Sequence, residues 1–243
     1  MSSAPETIAQ PPAEQANGFV TYLKVLYAPG EAFATLARVP TWGWAAVIGI
    51  ILTVLGTIIV MPATLHFIHI TQEAQLAQMS ADKAATAREA MSKIPEAVYS
   101  VSGVVGAVIG PWIYWLVGAL IYMIGAALGG GEARFKSAWV IAVNLYIIPA
   151  LGTIVAGVIV MLRGVENVNS SADLYGLPSL AMFVHGSPKL AGFLYGFNVV
   201  SIWFFIVAVI ALEQVMKMGR VPAIITVAVI ALLGAGVLAL TAK

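Results

Sequence analysis

Five stretches of this chain contain no Asp, Glu, Lys or Arg: residues 39–72, 97–131, 137–162, 190–212 and 221–242, with lengths of 34, 35, 26, 23 and 22 residues. A helix rises about 1.5 Å per residue, so roughly 20 apolar residues cross a hydrocarbon core ~30 Å thick. Every one of the five runs is long enough. The 12 basic and 11 acidic residues are confined to the segments between and before them. The pattern predicts an all-α integral membrane protein with five transmembrane helices at about 41–67, 98–128, 137–162, 190–212 and 221–240. A soluble enzyme is excluded because a soluble helix keeps a polar face. A barrel is excluded because its strands alternate over about ten residues. A formal net charge of +1 provides no basic stripe for nucleic acid, and the absence of cysteine removes thiolate chemistry and Cys-ligated metals.

Residues 1–18 contain three prolines, two glutamates and no Lys or Arg, the opposite of a secretory signal, and read as a short disordered cytoplasmic tail. Residues 19–40 read as two short amphipathic helices broken at Pro29 and Gly30 and lying in the membrane interface. Phe19, Tyr22, Leu23, Leu26 and Tyr27 recur at helical spacing in the first; Phe33, Leu36 and Ala37 oppose Glu31 and Arg38 in the second. The remainder, 41–243, is the five-helix domain, with extracytoplasmic insertions at 70–97 and 163–189.

The 70–97 insertion has a helix-start signature at Ser80 and Asp82, a favourable Glu89–Lys93 pair, and a narrow apolar stripe of Ala87, Met91, Ile94 and Val98. It reads either as a solvated extension of its own domain or as a docking helix for a partner. Lys and Arg are equally numerous on the two sides, but on the N-terminal side they are concentrated in very short turns. This density predicts a cytoplasmic N-terminus and, with five crossings, an extracytoplasmic C-terminus.

No acid or base lies deep in any span, which argues against proton-coupled transport and intramembrane hydrolysis, so no catalytic residue and no cofactor are expected. His66, His69 and Glu73 share one helical face and are weak metal-ligand candidates, the alternative being interfacial histidines. Asn144 and Asn198 are amides within spans, read as inter-helix hydrogen-bonding groups or as ligands. Pro111, Tyr114, Asn144, Tyr146 and Pro149 either line a solute path or pack. Gly129-Gly130-Gly131 lacks the Lys-Ser/Thr of a P-loop and reads as a helix stop. The partner or packing candidates are Met91, Ile94, Asn144, Pro149, Tyr175, Asn198 and Trp203.

Three segments, LYAPGEAFATLARVPTWGWA, LGGGEARFKSAWVIAVNLYIIPALGTIV and GFNVVSIWFFIVAVIALEQVMKMGRVPA, resemble in order and placement the Yip family (YPT-interacting-protein type), bacterial branch. The family's eukaryotic Asp-Leu-Tyr-Gly-Pro motif precedes helix one, whereas Asp173-Leu174-Tyr175-Gly176 here follows crossing three and is read as coincidental composition. The resemblance implies a non-enzymatic multi-pass protein of the bacterial cytoplasmic (inner) membrane. Eukaryotic relatives act in vesicle trafficking, and some bacterial relatives are encoded beside ABC exporters. Besides the lipid bilayer, the partners it implies are other membrane proteins such as ABC-type exporter subunits, and the leading expectation is an accessory subunit that tunes such a complex. A small-solute channel or transporter, and a membrane-shaping factor acting through residues 19–38, are the alternatives.

Overall fold

The computed structural model describes residues 17–171, 173–174, 176–184 and 186–242. The tail expected at 1–18 and the candidate Tyr175 therefore lie wholly or mainly outside the described residues. The protein is an all-helical membrane protein, with no strand among the described residues. In chain order the helices are α1 (Gly18–Tyr27), α2 (Pro29–Arg38), α3 (Gly43–Leu76), α4 (Ala81–Ser92), α5 (Glu96–Leu128), α6 (Phe135–Leu145), α7 (Ile147–Arg163), α8 (Pro188–Tyr195), α9 (Val199–Val215) and α10 (Arg220–Thr241). Helices α3, α5 and α10, and α6–α7 together, are long and apolar enough to cross a membrane; α9 is apolar but shorter.

Two crossings are interrupted, each for a local reason. Pro149 has no N–H and breaks the backbone ladder one turn upstream, so α6 and α7 meet at Tyr146, whose N–H turns back to Val143 O at 3.3 Å. The fourth crossing, expected as one helix over 190–212, is divided into α8 and α9 at Gly196–Asn198. Asn198 has extended backbone and caps α9: its Oδ1 accepts from Val200 N and Ser201 N, while Ser201 Oγ accepts from Asn198 N. A Cβ on Gly192 or Gly196 would fall within 3 Å of α10 atoms, so this small-residue pair allows α8 to lie against the end of α10.

The core is centred on α6, where Ala138 and Val140–Leu145 are all buried. Trp115 and Ala119 of α5, Ala208 and Leu212 of α9, and Tyr22, Phe33 and Leu36 of the lead-in helices close around it. The lead-in helices thus have two kinds of apolar surface. Tyr22 and Val25 of α1 are buried in the bundle, whereas Phe19, Val20, Leu23 and Tyr27 are exposed on its outer side. The tightest helix pair is α3 with α7. Gly49, Gly56 and Ala63 of α3 are buried at seven-residue spacing, and a Cβ on Gly56 would lie 2.7 Å from Thr153 Oγ1. Close backbone approach through small residues replaces the hydrophobic drive that a bilayer does not supply.

Helices α3 and α5 are longer than a crossing requires. Their 34 and 33 residues rise about 50 Å each, some 20 Å more than the ~30 Å core. The charged segment after the first span comprises the last turns of α3, the separate helix α4 and the first residues of α5.

Candidate functional site

Two features stand apart from ordinary bundle packing: the arm made by the ends of α3 and α5 with α4, and a pocket at the break in the fourth crossing. The arm is held by exposed polar contacts. Arg88 Nη2 of α4 lies 3.2 Å from Glu73 Oε2, His69 Nε2 lies 3.6 Å from Glu96 Oε1, and Gln72 Nε2 donates to the Tyr99 hydroxyl at 3.3 Å. The two ion pairs are largely solvated, and pairs of that kind contribute about 0–1 kcal/mol each. Apolar burial adds little, since Ala84 is the one buried residue of α4. Met91 is half-buried, and Ile94, Val98 and Val101 are exposed. Of these, Ile94 lies on the arm itself and is left uncovered by its own fold.

Two of the metal-ligand candidates take part in these same contacts. His66, His69 and Glu73 do lie on one helix, but His69 turns to Glu96 and Glu73 to Arg88. No three His, Asp or Glu side chains converge as a metal-ligand group among the described residues.

The pocket at the broken crossing has a volume of about 260 Å³ and brings together Tyr114, Pro149 and Asn198, with Thr153, Tyr195 and Ser201. Helices α5, α7, α8 and α9 meet there, and the loop after α7 reaches it as well: Leu177 lines it, and Ser179 bridges to Asn198 through the backbone. Gly176 passes so close to Ala156 O that no side chain fits. The polar groups of Asn198 are committed, Oδ1 to the start of α9 and Nδ2 to Tyr195 O at 3.0 Å. The pocket is thus mainly an apolar hollow with a capped helix end.

Asn144 does not join it. Its Nδ2 donates to Val140 O and to Thr41 O, both at 2.9 Å, tying α6 to the segment leading into α3. Pro111 is buried in an uninterrupted α5. Trp203 lies on the outward stripe of α9 with Val199, Ile202 and Ile206.

A buried aromatic cluster was not singled out by sequence reasoning. Trp115 packs edge-on to Tyr146 at 5.5 Å, the Thr53 and Tyr146 hydroxyls are hydrogen-bonded at 3.2 Å, and Gly49 is the bare patch of α3 that faces Tyr146, Tyr22 and Trp115. The Tyr22 hydroxyl and Trp115 Nε1 are buried with no hydrogen-bond partner among the described residues. Burial, reinforced by nearby Tyr146, pushes the Tyr22 hydroxyl well above the ordinary tyrosine range. The seven-residue recurrence of Gly49, Gly56 and Ala63 is the sequence signal that marks this face of α3.

No solved structure matches the chain. It is 29% identical over 112 residues to the membrane protein YknW of Bacillus subtilis (strain 168), a match covering 46% of this chain and 46% of that protein. The matched stretch is thus less than half the length of this curated relative. The family model described as the Yip1 domain matches residues 23–241, from the lead-in helices to the end of α10, and on that match the chain belongs to the Yip1 domain family.

Proposed function

We propose that this protein is a non-enzymatic accessory subunit of a larger complex in the bacterial cytoplasmic membrane, with its N-terminus cytoplasmic and its arm extracytoplasmic. The observation that carries the reading is the arm: the end of α3 and the start of α5 joined by the charged helix α4, with Ile94 exposed and few internal contacts to satisfy. Docking a partner against the arm removes apolar surface from water at about 25 cal/mol per Å². The Yip1 family is not known as an enzyme family, and the spans offer no acid–base pair for catalysis. An ABC-type exporter is the partner class we assign, on the resemblance to the family's bacterial branch.

Affinity purification from native membranes tests this. The tagged wild type is expected to bring down transporter subunits, and a variant with residues 77–95 replaced by a short Gly-Ser linker is expected to insert normally but lose them. A wild-type protein that purifies without any transporter subunit overturns the proposal. The pocket lined by Tyr114, Pro149 and Asn198 favours one alternative, a small-solute path at the broken crossing. Its test is flux into proteoliposomes: a flux abolished by Gly152→Leu, which fills the hollow, supports it, and the absence of flux for any solute removes it.

A further inference from the structure

Helices α5 and α10 touch closely at one end. A Cβ on Gly125 would strike Thr226, and one on Gly129 would lie 2.6 Å from Pro222 Cβ. Beside these contacts runs a hollow of about 340 Å³ walled by Ile124, Leu128, Ile225 and Val229. At Ile121 it meets a second hollow of about 420 Å³ that reaches Tyr114 and Ile230. From Gly129 to Tyr114 the groove follows α5 for about 22 Å, longer than the ~15 Å depth of one hydrocarbon leaflet. An apolar trough of that length, opening sideways into the bilayer, matches a single acyl chain whose headgroup lies at the Gly129–Pro222 end.

That end is basic. The α5–α6 and α9–α10 turns interlock there: Glu132 N–H donates to Met216 O at 2.7 Å, and Gly131 packs on Met218. The two turns carry Arg134, Lys136, Lys217 and Arg220, all exposed. The nearby acids are Glu132 and Glu213, and Glu132 is engaged by Arg134 at 3.4 Å. No ion pair engages Lys136, Lys217 or Arg220 among the described residues. The N-terminus of α10 has no side-chain cap, so its free N–H groups add to the positive field.

Lys217 supplies an independent observation. With φ +54° it is the single non-glycine residue in the left-handed region among the described residues. It directly follows the last residue of the α9 cap, where glycine is the low-strain choice.

We propose that the α5–α10 groove holds an acyl chain of an anionic phospholipid whose phosphate is bound by Lys136, Lys217 and Arg220. Charge complementarity selects the occupant: a zwitterionic lipid gains the trough but brings no net charge to three unpaired cations. The test uses the full-length protein in mild detergent, with native mass spectrometry after addition of phosphatidylglycerol or phosphatidylcholine. Wild type is expected to retain phosphatidylglycerol at least tenfold over phosphatidylcholine. Lys217→Gly is expected to be as thermostable as wild type without lipid, or more so, yet to lose severalfold in phosphatidylglycerol retention; Arg220→Gln gives the same loss by a change that leaves the backbone alone. Val229→Trp, which fills the trough, is expected to lower retention of both lipids. Equal retention of the two lipids by wild type overturns the proposal. So do charge variants that retain phosphatidylglycerol fully, and so does a Val229→Trp variant whose oligomeric mass changes while its lipid retention does not, which would make the groove a contact between two copies of the chain.

Discussion

Gly56→Ala places a methyl group in the seam between α3 and α7. The new Cβ would stand 2.7 Å from Thr153 Oγ1, 3.2 Å from Thr153 Cβ and 3.3 Å from the backbone nitrogen of Ile154. Against a comfortable non-bonded separation of about 3.5 Å, the nearest atom is roughly 0.8 Å too close. Thr153 cannot easily swing aside, because a β-branched side chain has few rotamers in a helix and its Oγ1 donates to Ala150 O at 2.7 Å. The helices must therefore move apart. Overpacking of this kind costs about 1–3 kcal/mol, offset by the ~0.5–1 kcal/mol gained when alanine replaces glycine in a helix. The net is a loss of up to about 2.5 kcal/mol, and at roughly 2–4 °C per kcal/mol for a chain of this size the Tm falls by up to about 10 °C. Thermal unfolding of the detergent-purified protein by circular dichroism measures it. Gly106→Ala is the control, since a Cβ there meets nothing within 4 Å, and it should be neutral or slightly stabilising. Adding Thr153→Ala to Gly56→Ala removes the closest atom and should restore most of the loss. A Gly56→Ala protein as stable as the Gly106→Ala control, or a double variant with no recovery, would refute the close-packed seam.

Three further outcomes follow from the same geometry. Asn198→Ala removes the cap of α9 and should cost about 1 kcal/mol, read as a lower unfolding temperature that Asn198→Asp, which keeps the accepting oxygen, largely restores. Tyr22→Phe deletes a buried hydroxyl that has no partner among the described residues, so stability should hold or rise. Because burial raises the folded-state pKa of Tyr22 above the ordinary ~10, the unfolded chain alone releases this proton as pH climbs past ~10. Stability should fall there, and Tyr22→Phe should remove that part of the fall. Glu73→Gln breaks an exposed pair with Arg88 and should change stability by less than ~1 kcal/mol, measured by the same unfolding experiment.

The spans were legible because charge is excluded from hydrocarbon, and the runs without charge coincide with α3, α5, α6–α7 and α10. The division of the fourth crossing was not, because Gly196, Phe197 and Asn198 are uncharged and a hydropathy pattern does not register a helix break. Its signal was chemical: Asn198 and Ser201 at capping-box spacing, just after a glycine that approaches α10. Similarly, the break at Tyr146 in the third crossing, read as one helix over 137–162, follows from the carbonyl that Pro149 leaves unbonded. The apolar faces of α1 and α2 were visible in the spacing of Tyr22, Phe33 and Leu36, but amphipathicity does not say whether such a face meets lipid or protein. Here those three side chains enter the bundle core, and Phe19, Leu23 and Tyr27 stay outside. His66, His69 and Glu73 illustrate the converse. Helical spacing placed them on one helix, while their neighbours Glu96 and Arg88 come from elements whose proximity only the fold reveals.

The claim that the arm is a docking element is tested most directly by site-specific photo-crosslinking in native membranes, with a photoreactive residue at Ile94. The account predicts a discrete adduct with a transporter subunit, lost when the same residue is placed at Leu232, an exposed position in α10 remote from the arm. An Ile94 probe that yields no adduct, or adducts only with the chain itself, would contradict it.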